Sequence, residues 1–139
     1  MKSIKKTLIE ISHNFNSLAN KAAPQIEEAS KLIIQSLQNG GKIMFCGNGG
    51  SAADAQHLSA ELVGRYMKNR KPLSSVALTT DTSVITAIGN DFSFDDIFSR
   101  QIDSIGNEGD ILYAISTSGS SKNVINAIKA AKKLNIKTV

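Results

Sequence analysis

The chain has 139 residues, enough for one hydrophobic core and too few to expect two. Its composition, 41% hydrophobic and 20% charged, is that of a soluble globular domain. No apolar run nears the ~18–20 residues of a membrane span, and the N-terminus MKSIKKTLIEISHNF lacks a signal peptide's apolar core, so a cytoplasmic protein with no membrane partner is predicted. The net charge of +4 is scattered, densest at Lys2/Lys5/Lys6 and Lys129/Lys132/Lys133. Aromatics make up 5% and none interleaves with a basic run, which argues against a nucleic-acid partner.

Along the chain, Ile4, Leu8, Ile11, Phe15 and Leu18 recur at steps of three and four, the stripe of an amphipathic helix. Pro24 suits the first turn of a second helix, whose apolar positions Ile26, Ala29, Ile33 and Leu37 run to the stop signal Asn39-Gly40-Gly41. Residues 1–40 are therefore an N-terminal helical segment and 41–139 a separate domain. That domain alternates strands and helices. Strands are predicted at Lys42–Cys46, Val76–Leu78, Ile111–Ile115 and Ile136–Val139, and helices at Ser51–Met67, Ser83–Ile88, Phe94–Ile105 and Lys122–Leu134. Such alternation predicts an α/β fold with a doubly wound parallel sheet in three layers, α/β/α, preceded by the N-terminal helices. The chain stops inside its fourth strand, and a parallel sheet needs crossover helices on both faces. Further residues, with another strand and helix, are expected beyond Val139.

Ligands of open α/β sheets bind at the carboxyl ends of the strands, and three polar loops fall there. Gly47-Asn48-Gly49-Gly50-Ser51 permits close backbone approach ahead of a helix; it is equally consistent with an anion cradle and with a tight turn. It has neither the dinucleotide spacing nor a Walker lysine. Ser116-Thr117-Ser118-Gly119-Ser120-Ser121 is sharper, with five hydroxyls around one glycine between a strand and a helix. Hydroxyls plus helix N-terminal amides make a phosphate site without lysine. Ser121 stands where an N-cap belongs, which accounts for one hydroxyl and leaves four.

On the helix after the first loop, Asp54, His57 and Glu61 share one stripe, with Ala55, Leu58 and Leu62 on a separate apolar face. His57 and Glu61, at i and i+4, can ligate one metal ion, share a proton, or simply form a solvated face. Zinc normally takes four ligands, so the pair alone is incomplete. Thr79–Ser83 and Gly89-Asn90-Asp91 offer hydrogen-bonding groups for sugar hydroxyls, or ordinary turn chemistry. Cys46, at the end of an apolar run, reads as a packed strand residue, and His13 as surface.

Taken together, CGNGGSAADAQHLSAELVGRY (Cys46–Tyr66), ALTTDTSVITAIGNDFSFDDIFSRQ (Ala77–Gln101) and ISTSGSSKNV (Ile115–Val124) resemble the phosphoheptose isomerases of the SIS (sugar isomerase) domain family, in the right order and spacing. The likeness runs from about residue 25 to the end. It implies a flavodoxin-like SIS fold and an aldose–ketose isomerase that converts sedoheptulose 7-phosphate to D-glycero-D-manno-heptose 7-phosphate through an enediol, at the start of nucleotide-heptose biosynthesis for lipopolysaccharide or other surface polysaccharide. It implies a homotetramer with the N-terminal helices at the interfaces, and one zinc ion per subunit. Position by position, Asn48, Gly49 and Gly50, with Ser51 beside them, match the family's substrate loop, and Asn90 and Asp91 match sugar contacts. Ser116, Thr117, Ser118 and Ser121 match its phosphate site. His57 and Glu61 match two zinc ligands, and Glu61 also matches the catalytic acid/base and a substrate contact. The family completes this site with a Gln and a His near its C-terminus, for which residues 1–139 hold no match. The rival reading is a non-catalytic SIS adaptor resembling the bacterial protein that associates with the replication initiator. The His57/Glu61 pair, for which an adaptor has no chemical need, favours the enzyme. No preceding recognition helix supports a DNA-binding regulator.

Overall fold

The computed structural model describes residues 3–139, so Lys2 of the N-terminal basic group lies outside it. Helix α1 (Ile4–Lys21) is capped by Ser3, whose hydroxyl accepts from the Lys6 N–H at 3.3 Å. Helix α2 (Ala23–Gln38) carries Pro24 in its first turn, where a missing N–H costs nothing. No residue of α1 is buried among the described residues; Ile4 is 81% and Phe15 67% exposed, so its apolar stripe is open.

The chain forms two compact units, one running to Leu32 and the other Ile33–Val139. The division falls inside α2 and not after residue 40. The end of α2 joins the second unit through Ser36, whose hydroxyl donates to the Gly109 carbonyl at 2.6 Å.

The second unit holds four parallel strands, β1 (Ile43–Gly47), β2 (Ser75–Ala77), β3 (Ile111–Ile115) and β4 (Lys137–Thr138), in the order β2-β1-β3-β4. Right-handed crossovers then require the helices to change faces where the order reverses, between β1 and β3. Helix α3 (Gly50–Val63) packs on β1 and β2. After β2 come α4 (Thr82–Asp91), a 3₁₀ turn at Phe94–Asp96 and α5 (Ser99–Ile105); α6 (Lys122–Lys133) packs against α5, β3 and β4. This is the three-layer arrangement expected. Strand alternation splits β1 between two cores. Met44 and Cys46, with Leu112, belong to the cluster that includes Phe98 and Ile102 of the α5 side and Ala127 and Ala131 of α6. Phe45 faces the other way and meets its register partner Tyr113, ring centroids 5.4 Å apart.

Three helices differ from expectation by more than two residues or are interrupted. Helix α3 stops at Val63, not Met67, because Gly64 leaves the helix and Arg70 ends it from outside. Its guanidinium donates to the carbonyls of Glu61 (2.7 Å) and Leu62 (2.8 Å), which an ended helix leaves unpaired. The expected helix over 94–105 is broken at Ile97–Phe98, both buried in the core. Helix α4 runs on through Asn90 and Asp91, started by Asp81, whose carboxylate accepts from the Val84 N–H at 2.9 Å.

Candidate active site

The register of β1 and β3 decides where the chemistry can gather. Gly47 stands opposite Ile115, so the glycine loop and the serine loop leave neighbouring strands at the same height, on either side of the switch point. In the glycine loop two residues are glycine for different reasons. A Cβ on Gly47 would lie 2.7 Å from Ser51 Cβ, because α3 turns back directly over the strand end. Gly49 has φ +57°, which favours glycine, and it occupies the N-cap of α3 with no side chain capping the helix. The Ser51 and Ala52 amides close the turn onto the carbonyls of Asn48 (2.9 Å) and Gly49 (3.0 Å).

The serine loop is wound around its own hydroxyls. Ser116 Oγ accepts from the Gly119 N–H at 3.1 Å and lies 3.3 Å from Ser121 Oγ. Ser118 Oγ accepts from the Ser120 N–H (3.2 Å) and the Ser120 hydroxyl (3.1 Å). Thr117 and Ser118 are exposed. Ser121 does occupy the N-cap position of α6, but its hydroxyl turns to Ser116 and does not cap. The first amides of a helix have no partner within it, so the Lys122 and Asn123 N–H groups stay uncapped beside five hydroxyls. The loop is thus rich in donors, the requirement for an anion.

One residue of this centre was missed in the sequence. Asn123, 1% exposed, exchanges two hydrogen bonds of 2.8 Å with Asn48, tying α6 to the glycine loop. The sole signal was a polar residue at a helix start, and its partner lies 75 positions away. Other groups weighed between sugar contacts and turn chemistry make local bonds. Thr80 donates its hydroxyl to the Ala77 carbonyl (3.1 Å), Thr79 is engaged by Gln56 Nε2 (3.2 Å), and Asp81 caps α4. Asn90 donates to Asp91 at 2.8 Å; among the described residues neither hydrogen-bonds to the glycine or serine loop.

His57 and Glu61 do face each other, His57 Nε2 to Glu61 Oε1 at 3.7 Å, with side chains 74% and 34% exposed. They line a cavity of about 380 Å³ whose walls include Phe45, Leu58, Leu62 and Tyr113. Leu58 and Leu62 therefore share the pair's surroundings and do not form the separate apolar face expected; Ala55 and Ser59 are the buried residues of α3. Asp54 lines a neighbouring cavity with His57, Tyr113 and Ile115. Among the described residues no third His, Cys, Asp or Glu joins the pair to complete a metal site. His57 shares the cavity of Asp54 with Ile115, the residue before the serine loop. Glu61 stands eleven residues along α3 from Gly50, about 16 Å at the helical rise. Cys46 is buried in β1, and burial alone pushes its thiol up to about 12, which leaves it a packed, un-ionised residue and no nucleophile.

The SIS domain family profile matches residues 8–139. Phosphoheptose isomerase of Rhodospirillum rubrum is 59% identical over 117 residues, covering 84% of this chain and 62% of that protein. That of Akkermansia muciniphila is 48% identical over 136 residues, covering 98% and 71%. Among solved structures, phosphoheptose isomerase GmhA of Neisseria gonorrhoeae superposes with a TM-score of 0.90 at 46% identity, covering 97% of this chain and 70% of that one. A phosphoheptose isomerase of Francisella tularensis gives 0.84 at 40% identity, with 95% and 73% covered. The chain thus spans roughly three-fifths to seven-tenths of these relatives' length.

Proposed function

The chain belongs to the SIS domain family, and from that premise we propose that the protein is an isomerase converting sedoheptulose 7-phosphate to D-glycero-D-manno-heptose 7-phosphate. The observation that carries this reading is the Gly47–Ile115 register, which joins a glycine loop and a hydroxyl-lined helix N-terminus in one crevice. The phosphate would sit on Ser116, Thr117, Ser118 and Ser121 and the open amides of α6. Asn48, Gly49, Gly50 and Ser51, and beyond them Asn90 and Asp91, would hold the sugar.

Isomerisation removes a proton from C1 of the ketose and returns one to C2, while the hydroxyl and carbonyl oxygens exchange a proton through an enediol. Glu61 is the carboxylate proposed to take and return the carbon-bound proton. Binding energy at the phosphate orients this remote end. Among the described residues, His57 Nε2 and Glu61 Oε1 are the donors that would hold a zinc ion, one per subunit. The chemistry zinc supplies when bound is Lewis-acid polarisation of the carbonyl.

We infer further that the protein assembles as a homotetramer. The open apolar stripe of α1 supports assembly. A cytoplasmic location fits the reading, because the bilayer's cost for charge retains a sugar phosphate where it forms.

The test is turnover and solvent-deuterium uptake at the moving carbon-bound position. Glu61→Gln is expected to lower both about 10²–10⁴-fold, with zinc content measured alongside. A Glu61→Gln protein that keeps near-normal turnover would remove Glu61 from the reaction.

A further inference from the structure

Asn123 sits at the second position of α6 with its carboxamide buried and both its oxygen and its nitrogen bonded. Its Oδ1 accepts from the Val124 N–H at 2.9 Å and from Asn48 Nδ2 at 2.8 Å, and its Nδ2 donates to Asn48 Oδ1 at 2.8 Å. A backbone N–H can only donate, so the Val124 amide dictates which end of the Asn123 carboxamide is oxygen. That places Nδ2 against Asn48, and the same logic then fixes the oxygen and nitrogen of Asn48. An asparagine on a glycine-rich loop would otherwise exchange its donor and acceptor by a half-turn of the amide. Here one orientation is imposed from the helix, leaving Asn48 one N–H and one lone pair for another group.

We propose that Asn123 is a positioning residue. It presets the Asn48 carboxamide and fastens the glycine loop to α6, whose N-terminus carries the serine loop, so that the sugar and phosphate ends of a ligand meet one rigid frame. The assignment rests on the reading that both loops bind one sugar phosphate. Asn123, 1% exposed, is assigned no ligand contact and acts through Asn48. A cap for Val124 alone would need only an acceptor, such as Asp or Ser. The donor half of the Asn123 amide serves Asn48 and nothing else.

The test has one arm that is independent of turnover. In the wild-type protein the side-chain amide protons of Asn48 should exchange slowly with solvent by NMR, and in Asn123→Ala about tenfold or more faster, since the buried partners are gone. In the second arm, Asn123→Ala and Asn48→Ala are each expected to lower kcat/KM on sedoheptulose 7-phosphate roughly tenfold to a hundredfold. The double variant should fall no further than Asn48→Ala, because Asn123 acts through Asn48. Affinity for inorganic phosphate should stay within about twofold in Asn123→Ala, which keeps every serine. A purely structural role would lower the melting temperature and let the two losses multiply. If Asn123→Ala does not fold, Asn123→Asp keeps the acceptor for Val124, with a charge the helix N-terminus favours, and loses the donor. Unchanged Asn48 exchange in the variant, or multiplying losses, overturns the proposal. Absent turnover by the wild-type protein would instead overturn the isomerase reading, while the exchange arm still decides the clamp.

Discussion

Both ends of the β1–β3 strand pair are polar, and they do opposite things. At the amino end, the Asp110 carboxylate is 3% exposed and accepts from the Lys42 N–H (2.9 Å), the Lys42 ammonium and the Asn107 N–H (2.8 Å). Donors and acceptors balance there, and the end is closed. At the carboxyl end, the amide pair Asn48–Asn123, its second member buried, ties the loops together, but the serine loop holds more donors than it can use itself. Its hydroxyls bond to one another. Polarity at a strand end is therefore not a signature of function. An excess of donors, held in place by that pair, is.

The comparison can be broken first at the closed end. Asp110→Ala strands two backbone amides and the Lys42 ammonium, at a cost of about 2–4 kcal/mol, with Lys42 part-exposed. Urea denaturation should show that loss, while kcat per folded molecule stays at the wild-type value. A variant as stable as the parent would mean that the amino end contributes nothing by being closed.

At the open end the signs reverse. Ser118→Ala removes a hydroxyl whose oxygen already serves Ser120 and whose proton is available to a ligand. Binding of sedoheptulose 7-phosphate should weaken by about 1.5–3 kcal/mol, the range for a hydrogen bond to a charged group. Stability should move by no more than about 0.5 kcal/mol, as for a surface change. Calorimetry with the phosphorylated and the unphosphorylated sugar separates the anchor from the sugar contacts, and equal losses for both would count against the loop.

Between the two ends lies Cys46, and pH sharpens the picture there. Burial raises its pKa from 9.0 to about 12, so the fold holds the thiol neutral while the unfolded chain ionises above pH 9. The thiol's contribution is complete below pH 9 and is lost as pH rises towards 12, at about 1.4 kcal/mol per pH unit. The stability gap between the wild-type protein and Cys46→Ala should narrow by that slope between pH 9 and 11. A gap that does not change with pH would mean that water reaches the middle of β1.

Local sequence determined the elements and their order. Periodicities of 3.6 and 2, the stop at Asn39-Gly40-Gly41 and the alternation of strand with helix are properties of neighbouring residues, and with them came the parallel sheet and both loops of the crevice. Even the rise of the helix between Gly50 and Glu61 was implicit in its sequence. Tertiary structure decided the rest, because those features depend on partners far apart in sequence. The arrest of α3 by Arg70 needs a side chain returning from a loop to meet open carbonyls. The register of Gly47 with Ile115 spans 68 positions, as does the bond from Lys42 to Asp110, and the Asn48–Asn123 pair spans 75. No local pattern marks one asparagine as a contact and another as its support, since both are short polar side chains at helix starts. Only burial distinguishes them, and burial is a property of the folded chain.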